Sequence, residues 1–321
     1  MDLIYTDVDR KDVGVLKDFA FDLAFGSDEN DFEISLDRNN HCCKANCLVY
    51  IEGTEYGGII DKVNVITKED KLTYKGRTWH GMLASKVIEP DKGSAYLTVS
   101  GDAHKVIGDI IARIGLSDLF TVSEEFSGLA INNYSFDRYT DAYLGLRKML
   151  ASVSGKLKLT FKDDKVILSA LPIVDYSKDE QFDVDQVELE VEKTFNSTNH
   201  MICLGSGELV SRQVVHLYVD ANGKISETQT FTGLQEVTDV YDYPNAESLD
   251  ELKKGGRERL REQTNGDKMQ LNFVSEEIVC DIGDIVGITE VVTDTNASAT
   301  ITKKIVTISQ GTVNIQYKVG E

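Results

Sequence analysis

Apolar and polar residues alternate through the first third of the chain. Phenylalanine and leucine occupy every second position in 19–25, and the same period of two returns in 32–36, after the polar turn at 27–30. A period of two is typical of a strand with one buried face. Further short segments of this kind lie at 48–52, 58–66 and 71–75. Short strands at this spacing predict a β-barrel or a sandwich.

The spacing of apolar residues changes near residue 100, where a helical period begins. A helix is predicted between Asp102, a suitable N-cap, and Gly115, which stands where a left-handed glycine often ends a helix. Its apolar positions are Val106, Ile107, Ile110, Ile111 and Ile114. A second helix is predicted over about 138–154. A hairpin with strands 156–161 and 165–170 follows it, so this part of the chain predicts a compact α/β unit.

The pattern returns to strands in the last third. A hairpin over 214–228 is predicted to turn at Asn222 and Gly223, a strong hairpin signal. One helix interrupts the strands at about 246–263, and the adjacent glycines at 255–256 inside it cost about 1 kcal/mol each relative to alanine. We expect close packing against that face of the helix to compensate. The final strands are predicted at 268–278, 285–293, 299–309 and 312–319.

These elements predict an α+β protein that is mainly β. The predicted domains are a first β-barrel over 1–98, an α/β insert over 99–182, and a second β-barrel over 183–321 with a helical excursion near 246–263.

Charge and composition narrow the class of protein. The 321 residues include 34 basic and 54 acidic side chains, which gives a net charge of −20. That excess opposes binding to a phosphate backbone but is compatible with DNA that passes without adhering. No stretch approaches the roughly 20 apolar residues that span a bilayer, so membrane insertion is not expected. The N-terminus lacks the features of a secretory signal, so we expect folding in a reducing cytoplasm.

The cysteines supply the densest set of potential metal ligands. The segment 41–47 contains His41, Cys42, Cys43 and Cys47, and the other cysteines are Cys203 and Cys280. The number of cysteines is odd and the spacing in 41–47 matches no zinc pattern, so we expect buried or half-buried free thiols. No role is assigned to Cys42, Cys43 or Cys47.

Other candidate chemistry is weak. The segment 204–208 resembles a serine nucleophile elbow but lacks the leading glycine, and it is predicted to be a loop between strands. The acidic pairs at 124–125 and 276–277 are two of many and are expected at the surface. The basic and aromatic segment 75–80 could bind a sugar or a single strand, although a packing role for Trp79 is favoured. The five histidines, His41, His80, His104, His200 and His216, are widely scattered. No catalytic, cofactor-binding or metal-binding residue is predicted, and no cofactor.

Three segments carry a resemblance to a known family. The segments 56–61 and 71–83 contain a strand that ends in Gly-Ile-Ile and a strand that runs into Gly-Arg, and 280–288 contains the sequence Gly-Asp-Ile-Val. They are similar to siphovirus tail proteins and PBSX-like prophage proteins related to the baseplate hub (late control protein D) family. The order of barrel, insert and barrel is also similar.

The resemblance implies a structural protein of a virion tail or baseplate, or of a contractile injection particle, assembled in the host bacterial cytoplasm. It implies a homotrimer whose two barrels per subunit form a ring with six-fold-like symmetry. The ring would adapt the tail tube, or the distal tail protein, to a central spike or fibre, with DNA only as passing cargo. No enzyme is expected in this polypeptide.

Two alternatives stay open from the sequence. One is a tail-associated hydrolase of the cell wall, which would need a convergent acid/base or metal site. The other is a carbohydrate- or receptor-binding tail module, which exposed aromatic residues around Trp79 would favour.

Overall fold

The computed structural model describes residues 1–177, 187–192, 197–264, 268–273, 280–290 and 295–320. The chain forms two compact units. Unit 1 comprises Met1–Glu190 and Gln270–Glu321, and unit 2 comprises Val191–Met269. Among the helices in these ranges, none is both long and apolar enough to cross a bilayer.

Strands dominate the described residues. The strands in the first part of the chain are β1 (Leu3–Thr6), β2 (Asp12–Leu16), β3 (Ala20–Gly26), β4 (Asp31–Asp37), β5 (Leu48–Tyr50), β6 (Gly57–Ile66), β7 (Lys71–Thr78), β8 (Val87–Ile88), β9 (Thr98–Asp102), β10 (Phe120–Val122), β11 (Ala130–Ser135), β12 (Thr140–Asp141), β13 (Gly155–Lys162), β14 (Lys165–Pro172) and β15 (Val187–Glu192). The later strands are β16 (His200–Leu204), β17 (Val214–Val219), β18 (Ile225–Ser226), β19 (Thr238–Asp242), β20 (Lys268–Phe273), β21 (Ile285–Glu290), β22 (Thr295–Ser309) and β23 (Thr312–Gly320). The α-helices are α1 (Trp79–Ala84), α2 (Ala103–Arg113), α3 (Ala142–Ala151) and α4 (Leu249–Thr264).

One large sheet joins the two ends of the chain. Its strand order is β15-β20-β23-β22-β3-β4-β7-β6-β5-β1-β2, and β21 pairs with β22 beside this path. The two ends meet where β22 runs antiparallel to β3, with Ile305 opposite Ala24 and Val306 opposite Leu23. The prediction of an α+β, mainly β protein is confirmed. No sheet among the described residues closes on itself, so the two barrels stay a prediction.

The predicted helices and hairpin of the insert are confirmed. Asp102 caps α2 by accepting a hydrogen bond from the main-chain N–H of His104, and Gly115 follows the helix with a φ of 73°. The helix α3 begins later than predicted, because Thr140 and Asp141 pair with β8 before Asp141 caps the helix. The strands β13 and β14 form the predicted hairpin, and β10 runs parallel to β14. Both helices pack on this hairpin around one core.

Unit 2 is a small sheet covered by a helix. Its strand order is β18-β17-β16-β19, and α4 packs against β16 and β17. The paired glycines of α4 allow this close approach, because a Cβ at Gly256 would lie 2.3 Å from Cys203 Sγ and one at Gly255 would lie 2.5 Å from Tyr241 Oη. The expected packing against the glycines is therefore confirmed. The Asn222-Gly223 hairpin is also present, as β17 and β18.

Some predicted elements fall partly outside the described residues. The strand predicted at 268–278 is present as β20, and 274–278 lies outside them. The strand predicted at 285–293 is present as β21, and 291–293 lies outside them, as does the acidic pair at 276–277. The predicted domain boundaries at 98 and 182 stay a prediction, and residue 182 lies outside the described residues.

Candidate functional site

Six charged side chains converge in unit 1. They are the lysines Lys156, Lys158 and Lys304 and the carboxylates Glu55, Asp281 and Asp284, here called the ion cluster. The three positive and three negative charges balance. Glu55 belongs to the loop before β6, the first two lysines to the hairpin, and the other residues to the last part of the chain. The cluster thus connects residues up to 249 positions apart in the sequence.

Asp284 is the most deeply buried carboxylate of the cluster, with no exposed surface. Lys156 Nζ lies 2.7 Å from both of its carboxylate oxygens. The main-chain N–H groups of Val174 and Asp281 also donate to Asp284, at 2.9 and 2.8 Å. Gly283 fits beside Lys156 with a φ of 102°, and a Cβ there would lie 3.1 Å from Lys156 Cβ. The Gly-Asp pair of the third resemblance segment therefore positions a buried, fully bonded carboxylate.

Lys304 connects the other side of the cluster. Its ammonium lies 2.6 Å from Glu55 Oε1 and 3.3 Å from Asp281 Oδ1. Burial alone would raise the pKa of Glu55, but the neighbouring groups, Lys304 first and Lys158 next, together outweigh burial and hold that pKa below its usual value. The pKa of Asp281 is lowered in the same way. Burial alone would lower the pKa of Lys304, but Glu55 and Asp281 raise it above its usual value.

His80 lies against the cluster as a neutral side chain. Its ring stacks on Phe25 with centroids 4.2 Å apart, and its Nε2 lies 3.9 Å from a carboxylate oxygen of Glu55. Burial lowers the pKa of His80 to about 3 despite the nearby carboxylate. Its Nδ1 is buried and has no hydrogen-bond partner among the described residues. The charges of the cluster therefore pair with one another, and this imidazole stays outside the pairing.

A second interaction, between Asp61 and Arg77, involves the other two segments that resemble the tail-protein family, 56–61 and 71–83. The pairing of β6 with β7 shifts between Ile60 and Lys62, and Asp61 sits at this irregularity. Asp61 accepts hydrogen bonds from Arg77 Nε and Nη2, at 2.9 and 2.8 Å, and from the main-chain N–H of Arg77. A Cβ at Gly76 would lie 1.9 Å from the main-chain oxygen of Ile59, so only glycine fits. These segments build a clamped β-bulge rather than a ligand set.

Trp79 has the packing role favoured by the sequence. The side chain is fully buried, and its indole stacks on Phe161 with centroids 5.2 Å apart. The segment 75–80 therefore presents no indole face to a sugar or a nucleic acid base.

The cysteines are free thiols, as expected, but the expectation that all of them are buried or half-buried is wrong for Cys42. Cys43, Cys47, Cys203 and Cys280 are buried and Cys42 is exposed. The phenol oxygen of Tyr74 accepts hydrogen bonds from the main-chain N–H groups of Cys42 and Cys43 and lies 2.7 Å from His41 Nδ1. Within the described part of the chain, no three or more His, Cys, Asp and Glu side chains are grouped to hold a metal ion.

Two of the histidines treated as scattered are in contact in unit 2, so that interpretation is wrong for this pair. His200 on β16 and His216 on β17 approach with Nε2 and Nδ1 2.8 Å apart. Glu236 Oε1 lies 2.7 Å from His200 Nδ1. The register of the two strands creates this contact, which residue spacing alone does not reveal. The position that a serine or cysteine nucleophile would need, beside Nε2 of His200, is occupied by His216.

Several proteins of known structure share the fold of this chain. No protein-family model and no curated protein matches the sequence. The tail protein from Neisseria meningitidis MC58 is similar over 100% of this chain and 96% of its own, with a TM-score of 0.52 and 13% identity. The prophage MuSo2 43 kDa tail protein from Shewanella oneidensis is similar over 100% and 98%, with a TM-score of 0.57 and 9% identity.

A third solved structure shares this fold. The prophage tail protein gp18 from Listeria monocytogenes EGD-e is similar over 99% of this chain and 94% of its own, with a TM-score of 0.50 and 11% identity. At 9–13% identity, the similarity to these three structures establishes the fold of the chain, and the similarity covers 99–100% of it.

Proposed function

We propose that the protein is a structural subunit of a phage-type tail, and that it is the hub between the tail tube and the central spike or fibre. The observation that carries the proposal is the full-length fold shared with the three tail proteins. The similarity of 56–61, 71–83 and 280–288 to the baseplate hub family supports the finer assignment.

The ion cluster supports a scaffold role. Glu55, Lys156 and Asp284 come from the first, middle and last parts of the chain, and the cluster ties these parts together inside unit 1. Its ionisable groups are paired with one another, unlike the uncommitted acid or base that a hydrolase needs.

The proposed assembly is a homotrimer in which the first and last β segments of each subunit line a channel as two tube-type barrels, with the α/β insert outside. The net charge of −20 would keep passing DNA from adhering to such a channel. The partners would be the tail tube or distal tail protein on one side and the spike or fibre on the other.

Two observations bear on the alternative functions. A carbohydrate-binding module was motivated by Trp79, and that indole is buried. His200 contacts the Glu236 carboxylate through Nδ1, but its Nε2 contacts the imidazole of His216 rather than a nucleophile. Neither the buried indole nor this histidine pair therefore supports an alternative function.

Light scattering coupled to size exclusion, followed by negative-stain electron microscopy, tests the proposal. We expect a particle of trimer mass with a central hole. The same preparation should release no product from purified peptidoglycan and should bind no ligand on a glycan array. Turnover of peptidoglycan, or saturable glycan binding by a monomer, would contradict the hub assignment.

A further inference from the structure

Two histidines of unit 2 lie side by side on one face of its sheet. His200 on β16 pairs with Tyr218 on β17, and His216 stands two residues before Tyr218 on the same strand. The helix α4 packs on the other face, where a Cβ at its second glycine would meet Cys203 and Leu217. Because successive residues of a strand point to opposite faces, both imidazoles lie on the face away from α4.

Glu236 and Tyr218 hold the ring of His200 in place. Oε1 of Glu236 lies 2.7 Å from His200 Nδ1 and also accepts a hydrogen bond from Gln229 Nε2 at 3.0 Å. Thr238 Oγ1 lies 3.1 Å from the same nitrogen of His200. The Tyr218 ring stacks on the imidazole with centroids 4.3 Å apart. Since His200 is also buried, its ring has a fixed orientation.

These contacts determine which nitrogen of each neutral ring carries the proton. A carboxylate only accepts hydrogen bonds, so Nδ1 of His200 is the donor to Glu236 and its Nε2 is left as an acceptor. Nδ1 of His216 lies 2.8 Å from that Nε2 and therefore donates to it. A metal-binding histidine is usually arranged like His200, with its other nitrogen donating to a carboxylate. The proton of His216 stands where an ion would bind.

The separation of the two nitrogens suits a shared metal ion. Imidazole nitrogens bind such an ion at about 2.0–2.1 Å, which places two of them about 2.9 Å apart when the angle at the ion is about 90°. In this structure they are 2.8 Å apart. The hydrogen bond points the nitrogens at each other, so one ring must turn to admit an ion. His216 is exposed and can turn while His200 stays fixed.

We propose that Nε2 of His200 and Nδ1 of His216 together bind one divalent transition-metal ion. Imidazole suits zinc, nickel and copper(II), and a right angle between ligands is typical of the last two. Water fills the remaining coordination positions. On binding, the proton of His216 passes through solvent from Nδ1 to Nε2, so no net proton is released. The site lies within unit 2 and does not depend on the hub assignment.

Titration of the full-length chain with Ni²⁺ tests the site. The chain carries no histidine tag and has Cys42→Ser, so that the exposed thiol does not bind the ion. We expect one Ni²⁺ per chain in isothermal titration calorimetry, with affinity about tenfold lower or worse in His216→Gln and about tenfold lower in Glu236→Gln. His41→Gln is the matched control, because His41 is also exposed, and it should bind like the parent. Equal weakening by His41→Gln and His216→Gln, or none by His216→Gln, would show an adventitious ion only and overturn the site.

The position of the ring protons gives a second readout. In the same chain with nitrogen-15-labelled histidine, long-range NMR correlations show which nitrogen of each ring carries the proton, and His216→Gln identifies the signals. We expect Zn²⁺ to move the proton of His216 to Nε2 and to leave His200 protonated at Nδ1, with an unchanged circular dichroism spectrum. Unchanged ring protons at saturating Zn²⁺ would overturn the site. Ion binding by a particle without threefold symmetry would keep the site and reject the hub, whereas a trimer that binds no ion would do the reverse.

Discussion

Lys156 Nζ lies 2.7 Å from both carboxylate oxygens of Asp284, a residue 128 positions later in the chain. Both side chains are buried, so neither ion regains full hydration if its partner is removed. The pair forms a bond between the hairpin of the insert and the start of β21. The fold of unit 1 should therefore depend on both ions being present.

Removal of the ammonium tests this dependence. Lys156→Met should lower the free energy of unfolding of unit 1 by about 3–5 kcal/mol, because it leaves the Asp284 carboxylate buried and without its cation. Urea unfolding followed by the fluorescence of Trp79, which lies in the same unit, measures the loss.

Lys148→Met is the matched control. Lys148 pairs with Asp137 at 2.7 Å, but both side chains are more than half exposed. Its removal should therefore cost no more than about 1 kcal/mol. Similar losses for the two lysines would show that the buried pair has no special role.

His80 should make the stability of unit 1 depend on pH. Its pKa is lowered to about 3 in the folded protein and is about 6.5 in an unfolded chain, so only the unfolded chain binds a proton between these values. Stability should therefore fall as the pH falls, by up to about 1.4 kcal/mol per pH unit from this group. Between about pH 5 and 6.5, above the ordinary carboxylate range, the slope reports mainly on imidazoles.

Two variants separate titration from packing. His80→Asn should flatten the plot of unfolding free energy against pH in this window. Phe25→Leu removes the ring that stacks on His80 and should lower stability without changing the slope. An unchanged slope in His80→Asn would show that folding does not lower the pKa of this imidazole.

Helix ends and tight turns could be predicted from the sequence, because their signals lie within a few neighbouring residues. The cap at Asp102, the glycine at 115 and the Asn222-Gly223 turn all act over a few residues, so each is visible in the sequence. The pairing of β22 with β3 is not visible, because it joins strands almost 300 residues apart and no short-range signal specifies a partner.

The ion cluster could not be predicted for the same reason. Six acidic and basic residues among many look like solvated surface in a sequence, and only the long-range register brings Glu55 to Lys304. The contact of His200 with His216 likewise follows from the register of β16 and β17. The paired glycines of α4 were a usable signal, because their cost within a helix called for a packing explanation.

Gly256 should be the sensitive glycine of α4. Gly256→Ala should destabilise unit 2 by about 1–3 kcal/mol, despite the higher helix propensity of alanine, because the new Cβ would lie 2.3 Å from Cys203 Sγ. Amide hydrogen exchange in α4 measures the change. Adding Cys203→Ala should restore much of the loss, since it removes the clashing sulfur. If the double variant is as unstable as the sum of the two single variants, the clash is not the cause.

The thiols should react unequally. Cys42 is exposed, whereas burial raises the pKa of Cys203 to about 11 and that of Cys280 to about 12. The native protein should therefore show one fast-reacting thiol with an aromatic disulfide reagent, and all five thiols should react in denaturant. Cys42→Ser should abolish the fast phase and Cys203→Ser should leave it intact. A fast phase that survives in Cys42→Ser would contradict the burial of the others.

The position of the protein in a tail particle tests the central claim most directly. Tail particles purified from cells that produce this chain with an affinity tag can be labelled with gold at the tag and imaged by electron microscopy. We predict label at one end of the tube only, with three copies per particle by quantitative mass spectrometry. Label along the whole tube, or purified particles that lack this chain, would contradict the account.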